Sequence, residues 1–476
     1  MTELRDAMQK KAPEKRRHPN IIFYILDDQG IGDVPTAPHD SPNYLPNLKR
    51  LAQRGITCTR AYANSPMCAP ARASIMIGGY PQKIGVYELH DPAPGIPENV
   101  RIAPQYFKEE GYATGLIGKW HLGGQLDLLD GTGHKALIPQ NKGFDTSFYF
   151  FGSTHDYWDP NLGNSELEVK GYPFYSPIYD NGTPVNKMEY LTHEISRRAV
   201  QFVEENKDRP FFLTLTHHVC HVPLQVPKSY HEHYEDLGIG ELAMVSRAMY
   251  EACDDGLGLL LDKLADLNLD NDTIIIHTSD NGGGAPSGPT VWDYSGAKFY
   301  FGEAGLRIPF IISWPGHLPE NRLYDDFVMQ MDMLPTVLDA AGMKGPGREG
   351  ISLMPYFMGE ARDMSRREFY WSNGHIDTFA VMKDGYKLRM DRYCPGALHY
   401  IPDDPFEIRD LSAQHPEKVE ELFSDYQTWM ASNQQSLFLQ DPAYALREQA
   451  FLEKIREDPL WQPKKTTPKF GPETPA

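Results

Sequence analysis

The sequence has few cysteines, and the five it has are an odd number scattered along 476 residues. A disulfide framework uses paired cysteines, so this pattern is instead typical of reduced thiols inside cells. The charged N-terminal stretch, residues 1–19, contains no apolar segment of the kind that a secretory signal carries. These absences predict a cytoplasmic protein, with a periplasmic or secreted location as the alternative if a leader was trimmed from the N-terminus.

Long hydrophobic runs and an excess of positive charge are also missing. Apolar runs such as 20–26 and 273–279 have the length of strands, whereas a membrane helix needs about 20 apolar residues. Lysine and arginine number 46 against 65 aspartates and glutamates, which makes the formal net charge -19. The sequence therefore predicts no membrane span and no nucleic-acid or membrane partner. Any anionic substrate would need a local positive site.

The apolar runs alternate with amphipathic segments along most of the chain. This order predicts an α/β fold with a large mixed, mostly parallel sheet flanked by helices. The predicted strands are 20–26, 112–118, 210–216 and 273–279, and the predicted helices are 45–55, 192–206 and 242–267. Polar residues follow each of these four strands. Since open α/β sheets form their sites beyond the carboxyl ends of strands, the four ends are expected to converge on one site.

The pattern changes after residue 342, where a smaller unit is predicted. A hairpin at 379–390, with its turn at Asp384-Gly385, and a helix at 415–430 predict a C-terminal antiparallel sheet with a helix. The Gly-, Pro- and Tyr-rich segment 125–190 is predicted to form long loops over the site. The predicted organisation is an N-terminal extension, a catalytic domain, a C-terminal subdomain and a tail, at 1–19, 20–365, 366–460 and 461–476.

Two of the strand ends carry groups suited to a hard cation. Asp27 and Asp28 follow the first strand, and Asp280 and Asn281 follow the strand at 273–279. Their oxygens suit Ca²⁺ or Mg²⁺ better than Zn²⁺. Aspartate, asparagine and glycine also populate turns for their own reasons, so each motif alone leaves a plain turn open. Both motifs at one sheet edge favour the metal site.

The short stretch SPMCAPARAS, residues 65–74, puts a cysteine and an arginine in a fixed frame. Arg72 lies four residues after Cys68, so the two share a face if the segment is helical. A helix that begins at Cys68 would itself favour negative charge there. Lys119 and His121 are two residues apart, and on an extended segment they share one side. A surface ion pair is the alternative for a lone arginine.

Five motifs in a fixed order carry a resemblance to a known family. They are the aspartate pair, CAPAR followed by GGYP, GKWHLG, SDNGG and GAKFYFGEAGLRIPFIISWPG. Over about residues 20–425 the chain resembles a type I sulfatase of the alkaline-phosphatase superfamily. The resemblance implies that a formylglycine-generating maturation enzyme oxidises Cys68 to formylglycine, whose hydrate is the nucleophile. It also implies Ca²⁺, with Mg²⁺ as the alternative, bound by residues 27, 28, 68, 280 and 281.

The resemblance also implies roles for individual side chains. Lys119 holds the nucleophile oxygen, and His121 takes the proton from the second hydroxyl of the hydrate, so that sulfate leaves. Lys298 and His221 contact the sulfate and protonate the leaving oxygen. Arg72 joins these cations in meeting the negative charge that develops on the sulfuryl group.

Two further assignments follow from the family pattern. A histidine before x-Pro matches His221-Val222-Pro223, so His217 and His218 are assigned structural roles although the three histidines together also suggest metal ligands. A hydroxyl contact near the sulfate is expected from Thr154, with Ser153 as second choice.

The implied reaction is hydrolysis of a small aryl or carbohydrate sulfate ester to an alcohol and sulfate. Aromatic residues of the segment 144–190 could stack on a sugar or aryl ring, or belong to the core; they are Tyr149, Phe150, Phe151, Tyr157, Trp158, Tyr172, Phe174, Tyr175 and Tyr179.

Two alternatives remain open. The first is a phosphate or phosphonate monoester hydrolase of the same superfamily. The second is a binder of sulfated ligands with unmodified Cys68, since Ile77 and Gly79 stand where family members have threonine and arginine. The oligomeric state is not specified by the sequence.

Overall fold

The computed structural model describes residues 18–35, 41, 43–88, 95–124, 136–162, 177–284, 294–361, 364, 367–374, 378–391 and 394–437. The strands are β1 Asn20–Leu26, β2 Gly55–Tyr62, β3 Ala113–Lys119, β4 Thr146–Phe150, β5 Tyr179–Asp180, β6 Thr183–Pro184, β7 Phe211–Thr216, β8 Thr273–Ser279, β9 Arg307–Ile308, β10 Phe310–Ser313, β11 Arg322–Met329, β12 Phe369–Ser372, β13 Phe379–Lys383, β14 Tyr386–Asp391 and β15 Cys394–Tyr400. The α-helices are α1 Pro46–Gln53, α2 Cys68–Ile77, α3 Ala103–Glu109, α4 Leu191–Glu205, α5 Lys228–His231, α6 Glu241–Asp266, α7 Glu303–Leu306, α8 Met333–Ala340, α9 Met354–Phe357 and α10 Pro416–Ala431.

The large sheet has the strand order β11-β2-β10-β8-β1-β7-β3-β4-β5-β6, with β9 beside β2. The strands β8, β1, β7, β3 and β4 are parallel neighbours, and β10 runs antiparallel between β8 and β2. The four strands predicted from the sequence are therefore the four central ones, with bounds that agree within one residue. The predicted fold class is confirmed.

Both faces of the central strands are covered by helices. Every residue of β1 is buried. Alternate residues point to opposite faces, so Ile22 and Tyr24 pack with α1, α4 and α6, whereas Ile21 and Phe23 pack with α2, α3 and α8. A strand buried on both faces reads as a continuous apolar run, which is why NIIFYIL could be located from the sequence.

The smaller sheet has the order β12-β13-β14-β15, all antiparallel, and α10 packs on it. The hairpin predicted between β13 and β14 turns at Asp384 and Gly385, which have φ angles of 53° and 80°. Two positive φ values in a row are what a tight hairpin turn of this handedness requires. The domain boundaries stay a prediction, and residues 1–17 and 438–476, including the predicted tail, lie outside the described residues.

The prediction of long loops over 125–190 was wrong for part of that segment. β4 adds to the sheet by pairing in parallel with β3, and Tyr149, Phe151 and Tyr179 pack their rings together at centroid distances of 5.1 to 5.7 Å. These aromatic residues therefore belong to the core. Glycine and proline on both sides hid a five-residue strand that is stabilised by pairing across the sheet. Tyr172, Phe174 and Tyr175 lie outside the described residues.

No helix in the described ranges combines the length and the apolar character that are needed to cross a bilayer.

Candidate active site

The polar residues after β1, β8, β7 and β3 meet at one edge of the sheet, because these strands are parallel neighbours. α2 brings Cys68 to the same place as its first residue, and the segment 294–306 brings Lys298. Cys68, Asp27 and Lys119 are fully buried, and Lys298 is nearly so. The charged groups of this site therefore interact in surroundings that screen them weakly.

Asp27 is held by groups from three different elements. Its Oδ2 accepts hydrogen bonds from Nζ of Lys119 at 2.7 Å and from Nδ1 of His218 at 3.1 Å, and the thiol of Cys68 lies 3.5 Å from its Oδ1. Burial opposes the ionisation of Asp27, but the charge of Lys119, the hydrogen bond from His218 and the charge of Arg72 hold its pKa well below the usual range. Asp27 is therefore a carboxylate around which the site is built.

Asp28 pairs with the second lysine. Nζ of Lys298 lies 2.8 Å from Oδ1 of Asp28 and 2.9 Å from Oδ2, and Nδ2 of Asn281 donates to Oδ1 at 2.7 Å. Burial raises the pKa of Asp28 although Lys298 opposes that shift, and the nearby charge of Asp27 raises it further. Burial disfavours the ammonium of Lys298, but Asp28, Asp27 and Asp280 together outweigh that effect, so the pKa of Lys298 is raised.

His221 and His218 are both neutral at this site. Nζ of Lys298 lies 2.9 Å from Nε2 of His221, and an ammonium can only donate, so Nε2 accepts and Nδ1 donates to the carbonyl of Val222 at 3.1 Å. Burial lowers the pKa of His221, and Lys298 lowers it further. Nε2 of His218 accepts from the backbone N–H of His155, and burial lowers the pKa of His218 to about 4.

Arg72 reaches the site from the next turn of α2, as its spacing from Cys68 predicts. Its Nε donates to Oδ2 of Asp280 at 2.9 Å, and Nη1 donates to the carbonyl of Lys119 at 3.1 Å. Burial and the charge of Asp27 raise the pKa of Asp280 to about 6, against the opposing effect of Arg72. Arg72 thus joins α2 to the ends of β8 and β3.

Cys68 has the environment of an unreactive thiol. Burial raises its pKa, and the nearby carboxylate of Asp280 raises it further. The thiolate is the nucleophilic form of cysteine, so a thiol kept protonated in this way is a poor nucleophile. Cys68 nevertheless lies at the centre of the site, where a group that reacts with the substrate is expected.

The donor set fits a divalent cation. One ligand atom each from Asp27, Asp28, Cys68 and His221 lies within 4.8 Å of the others. Oδ1 of Asn281 is buried without a hydrogen-bond partner among the described residues, as expected of an oxygen meant for a cation. Both carboxylate oxygens of Asp280 already accept hydrogen bonds, Oδ1 from the backbone N–H groups of Asp28 and Asn281 and Oδ2 from the guanidinium of Arg72.

The structure places the remaining predicted residues near the strand ends. His121 is buried two residues beyond β3, with a φ of 54°. Ser153 and Thr154 are both buried in the segment just before His155, which contacts His218. The choice between these two hydroxyls stays open.

The positions that depart from the family pattern are built into the packing. Ile77, the last residue of α2, is fully buried in the core. A Cβ atom at Gly79 would lie 2.6 Å from Oε2 of Glu349 and 2.9 Å from Cβ of Arg348. A larger residue at position 79 therefore requires these two side chains to move.

Two residues at the site were not predicted from the sequence. His218 was assigned a structural role, but it donates directly to Asp27. Gln330, which lies just after β11, donates through Nε2 to the backbone carbonyls of Ser279 and, at 2.8 Å, of Asp280. The cluster of histidines after β7 was a signal for the first. No local sequence pattern indicates Gln330, because it follows β11, which is separated from β8 by β2 and β10 in the sheet.

Strand β14 of the smaller sheet supports the segment that carries Lys298. Nζ of Lys387, in β14, donates to Oε1 of Glu303 at 2.8 Å and lies 3.1 Å from Glu407, and the backbone N–H of Glu303 donates to Glu407 at 2.9 Å. These three side chains are buried. A buried ion network of this kind specifies one position of the 294–306 segment against the smaller sheet.

The chain is similar to known proteins over most of its length. The family model described as Sulfatase matches residues 19–343, and the one described as N-sulphoglucosamine sulphohydrolase, C-terminal, matches residues 292–440. The N-acetylgalactosamine-6-sulfatase of Homo sapiens is 28% identical over 415 residues, covering 79% of this chain and 75% of that protein. The N-acetylgalactosamine-6-O-sulfatase of Bacteroides thetaiotaomicron is 28% identical over 506 residues, covering 89% and 95%. The crystal structure of Ps i-CgsB in complex with k-i-k-neocarrahexaose has a TM-score of 0.79 and 26% identity, covering 94% of this chain and 100% of that one.

Proposed function

We propose that this chain, which belongs to the sulfatase family and is a sulfuric ester hydrolase, acts on sulfate esters of carbohydrates. The observation that carries the proposal is the buried set of charges around Cys68. Three carboxylates, those of Asp27, Asp28 and Asp280, are matched by Lys119, Lys298 and Arg72. A bound divalent cation would leave this set with excess positive charge, which suits a sulfate group.

Membership of the family implies a formylglycine and a divalent cation. We assign the formylglycine to position 68 and expect a maturation enzyme to form it there. The unreactive state of the Cys68 thiol supports this assignment, since the hydrated aldehyde supplies an oxygen nucleophile that the thiol cannot. We assign Ca²⁺ to Asp27, Asp28, Asp280 and Asn281, with Mg²⁺ as the alternative; when bound, it would neutralise charge on the sulfuryl group.

The remaining side chains suit the proton transfers that ester hydrolysis needs. In the first step a hydroxyl of residue 68 would attack sulfur as its proton passes to Asp280 or a neighbouring carboxylate, the bond to the ester oxygen would break, and Lys298 or His221 would protonate the departing alcohol. The contact between Lys298 and His221 supports a shared role in that transfer. In the second step His121 removes the proton from the other hydroxyl of residue 68, so that the aldehyde forms again and sulfate leaves. Lys119 and Arg72 stabilise negative charge in both steps.

The choice of a carbohydrate rests on the relatives. Two of them are named for 6-sulfated N-acetylgalactosamine, and the similar crystal structure contains a neocarrahexaose. Tyr149, Phe151 and Tyr179 are core residues, so their rings support neither a sugar ester nor an aryl ester.

The substrate class is tested with a panel of esters. We expect release of sulfate from sulfated monosaccharides or short oligosaccharides, with kcat/KM above the value for 4-nitrophenyl sulfate. We expect kcat/KM for 4-nitrophenyl phosphate to be at least about 100-fold lower than for the matching sulfate, a difference of about 2.7 kcal/mol in transition-state binding. Faster hydrolysis of the aryl sulfate than of every sugar sulfate would overturn the choice of carbohydrate, and faster hydrolysis of the phosphate would favour the monoester hydrolase alternative.

The cation is tested by thermal unfolding, independently of activity. Protein treated with a chelator is expected to unfold at a higher temperature once Ca²⁺ is added, because a ligand that binds only the folded state stabilises it. At 100 times the Kd this stabilisation is about 2.7 kcal/mol. Asn281→Leu should reduce the shift, whereas Asn206→Ala, at the end of α4, should keep it. A shift produced by Zn²⁺ but not by Ca²⁺ or Mg²⁺ would count against the assignment.

A further inference from the structure

Phe299 is unusual both in its exposure and in its backbone. Half of its surface is exposed, whereas most large apolar residues of the described chain are buried. Its φ is 77°, in the left-handed region that bulky residues rarely adopt. The left-handed backbone is unfavourable for phenylalanine, and the exposed part of the ring adds no buried apolar surface. The stability of the fold therefore does not account for phenylalanine at this position, and a role of the ring in binding is implied.

The position of Phe299 is set by hydrogen bonds on both sides. Its backbone N–H donates to the carbonyl of Pro66 at 2.9 Å, two residues before Cys68. The preceding N–H, of Lys298, donates to the carbonyl of Gly283 at 3.0 Å, just beyond Asn281. The backbone of Phe299 is therefore tied to the segments that carry the proposed nucleophile and the proposed cation site.

The ring lies beside the group expected to meet the ester. Nζ of Lys298 is 5.5 Å from the centre of the Phe299 ring, and the same Nζ contacts Asp28 and Nε2 of His221. The sulfate end of a substrate would lie among buried groups, so its alcohol part must extend from Lys298 toward solvent. The exposed ring is an apolar surface next to that path.

We propose that Phe299 is a specificity-determining residue, whose ring stacks on the apolar face of the sugar that carries the sulfate. The inference rests on the proposed carbohydrate substrate and names the surface that recognises its ring. Aromatic side chains bind ring substrates through such face contacts, because the ring offers a large rigid area at little cost in conformational entropy.

The test compares Phe299→Gly, Phe299→Ala and Phe299→Trp. Phe299→Gly removes the ring and also relieves the backbone, since glycine adopts a positive φ freely, so this variant should unfold at a temperature no lower than the parent protein. We expect kcat/KM for the preferred sugar sulfate to fall about 3- to 10-fold in the glycine and alanine variants, the range that stacking contacts supply. Phe299→Trp should retain the parent value. Leu323→Ala, which truncates an exposed apolar residue on the edge strand β11, is the matched control and should change nothing.

Inhibition by inorganic sulfate separates ring recognition from damage to the site. If Phe299 binds only the sugar, the inhibition constant of sulfate should change less than about 2-fold in every variant. An unchanged kcat/KM in Phe299→Gly overturns the proposal, and so does an inhibition constant that rises in parallel with the loss of activity. If the parent protein hydrolyses aryl sulfates but no sugar sulfate, the proposed carbohydrate substrate fails by itself. The ratio of kcat/KM between the parent protein and Phe299→Gly, measured with 4-nitrophenyl sulfate, then decides whether the ring binds the alcohol part of the ester.

Discussion

Replacement of Cys68 by alanine is expected to abolish turnover of sulfate esters while the protein stays folded. Loss of a covalent nucleophile costs of the order of 10⁴- to 10⁶-fold in kcat. The fold should tolerate the change, because the thiol's hydrogen bond to Asp27 is long, at 3.5 Å, and alanine is well suited to the first turn of α2. The residual rate should not respond to thiol reagents.

Mass spectrometry of the parent protein also tests the assignment of formylglycine to position 68. When the protein is made in a host that has a maturation enzyme, the peptide that contains residue 68 should be lighter than the encoded peptide, because CH₂–SH becomes CHO. It should also react with a hydrazide. Cys58→Ala removes another buried thiol, in β2, and is expected to retain both the aldehyde and turnover. Full activity in protein that carries only the free thiol at position 68 would contradict the assignment.

Replacement of His121 and of Lys298 should slow different steps of the reaction. With His121→Ala, one equivalent of alcohol per active site is expected in a burst, followed by a slow steady state, because the proton that must leave residue 68 has lost its base. With Lys298→Ala, release of the alcohol itself should be slow and no burst should appear. A missing general acid or base typically costs about 10²- to 10⁴-fold.

Rapid mixing with a chromogenic aryl sulfate distinguishes the two steps, provided that this ester is accepted. His217→Gln is the matched control for His121→Ala, because His217 is also a fully buried histidine after a central strand and packs against Tyr24. The control should show the rates of the parent protein in both phases. A burst with Lys298→Ala and a slow linear trace with His121→Ala would show that the two roles are reversed.

The tertiary structure also shows how Ile77 and Gly79, which stand where family members have threonine and arginine, are accommodated. Ile77 fills part of the core, and Gly79 follows the residue that ends α2 in the left-handed conformation, Gly78, with a φ of 67°. The space beside Gly79 is taken by Arg348 and Glu349. Whether the altered motif still directs oxidation of Cys68 is decided by the peptide mass described above.

The sequence by itself determined the four central strands of the large sheet and which polar residues meet at their carboxyl ends. The runs that form β1, β3, β7 and β8 are buried on both faces, so each is a continuous apolar stretch that ends where polar residues begin. Parallel strands have their carboxyl ends at one edge, and this topological rule was enough to bring Asp27, Asp280 and Lys119 together. The spacing of Arg72 from Cys68 was equally local, because one turn of a helix separates them.

Only the tertiary structure decided the contacts that depend on distant segments. It brings His218 rather than His217 to Asp27, since the path of the chain after β7 is set by the segments around it. It places Gln330 on the backbone of Asp280 and ties Phe299 to the carbonyl of Pro66, although no local pattern links these residues. It also adds β4 to the sheet. The physical reason is common to all of them: periodicity reports which face of an element is apolar, whereas a single hydrogen bond between distant segments is specified by the packing of the whole domain.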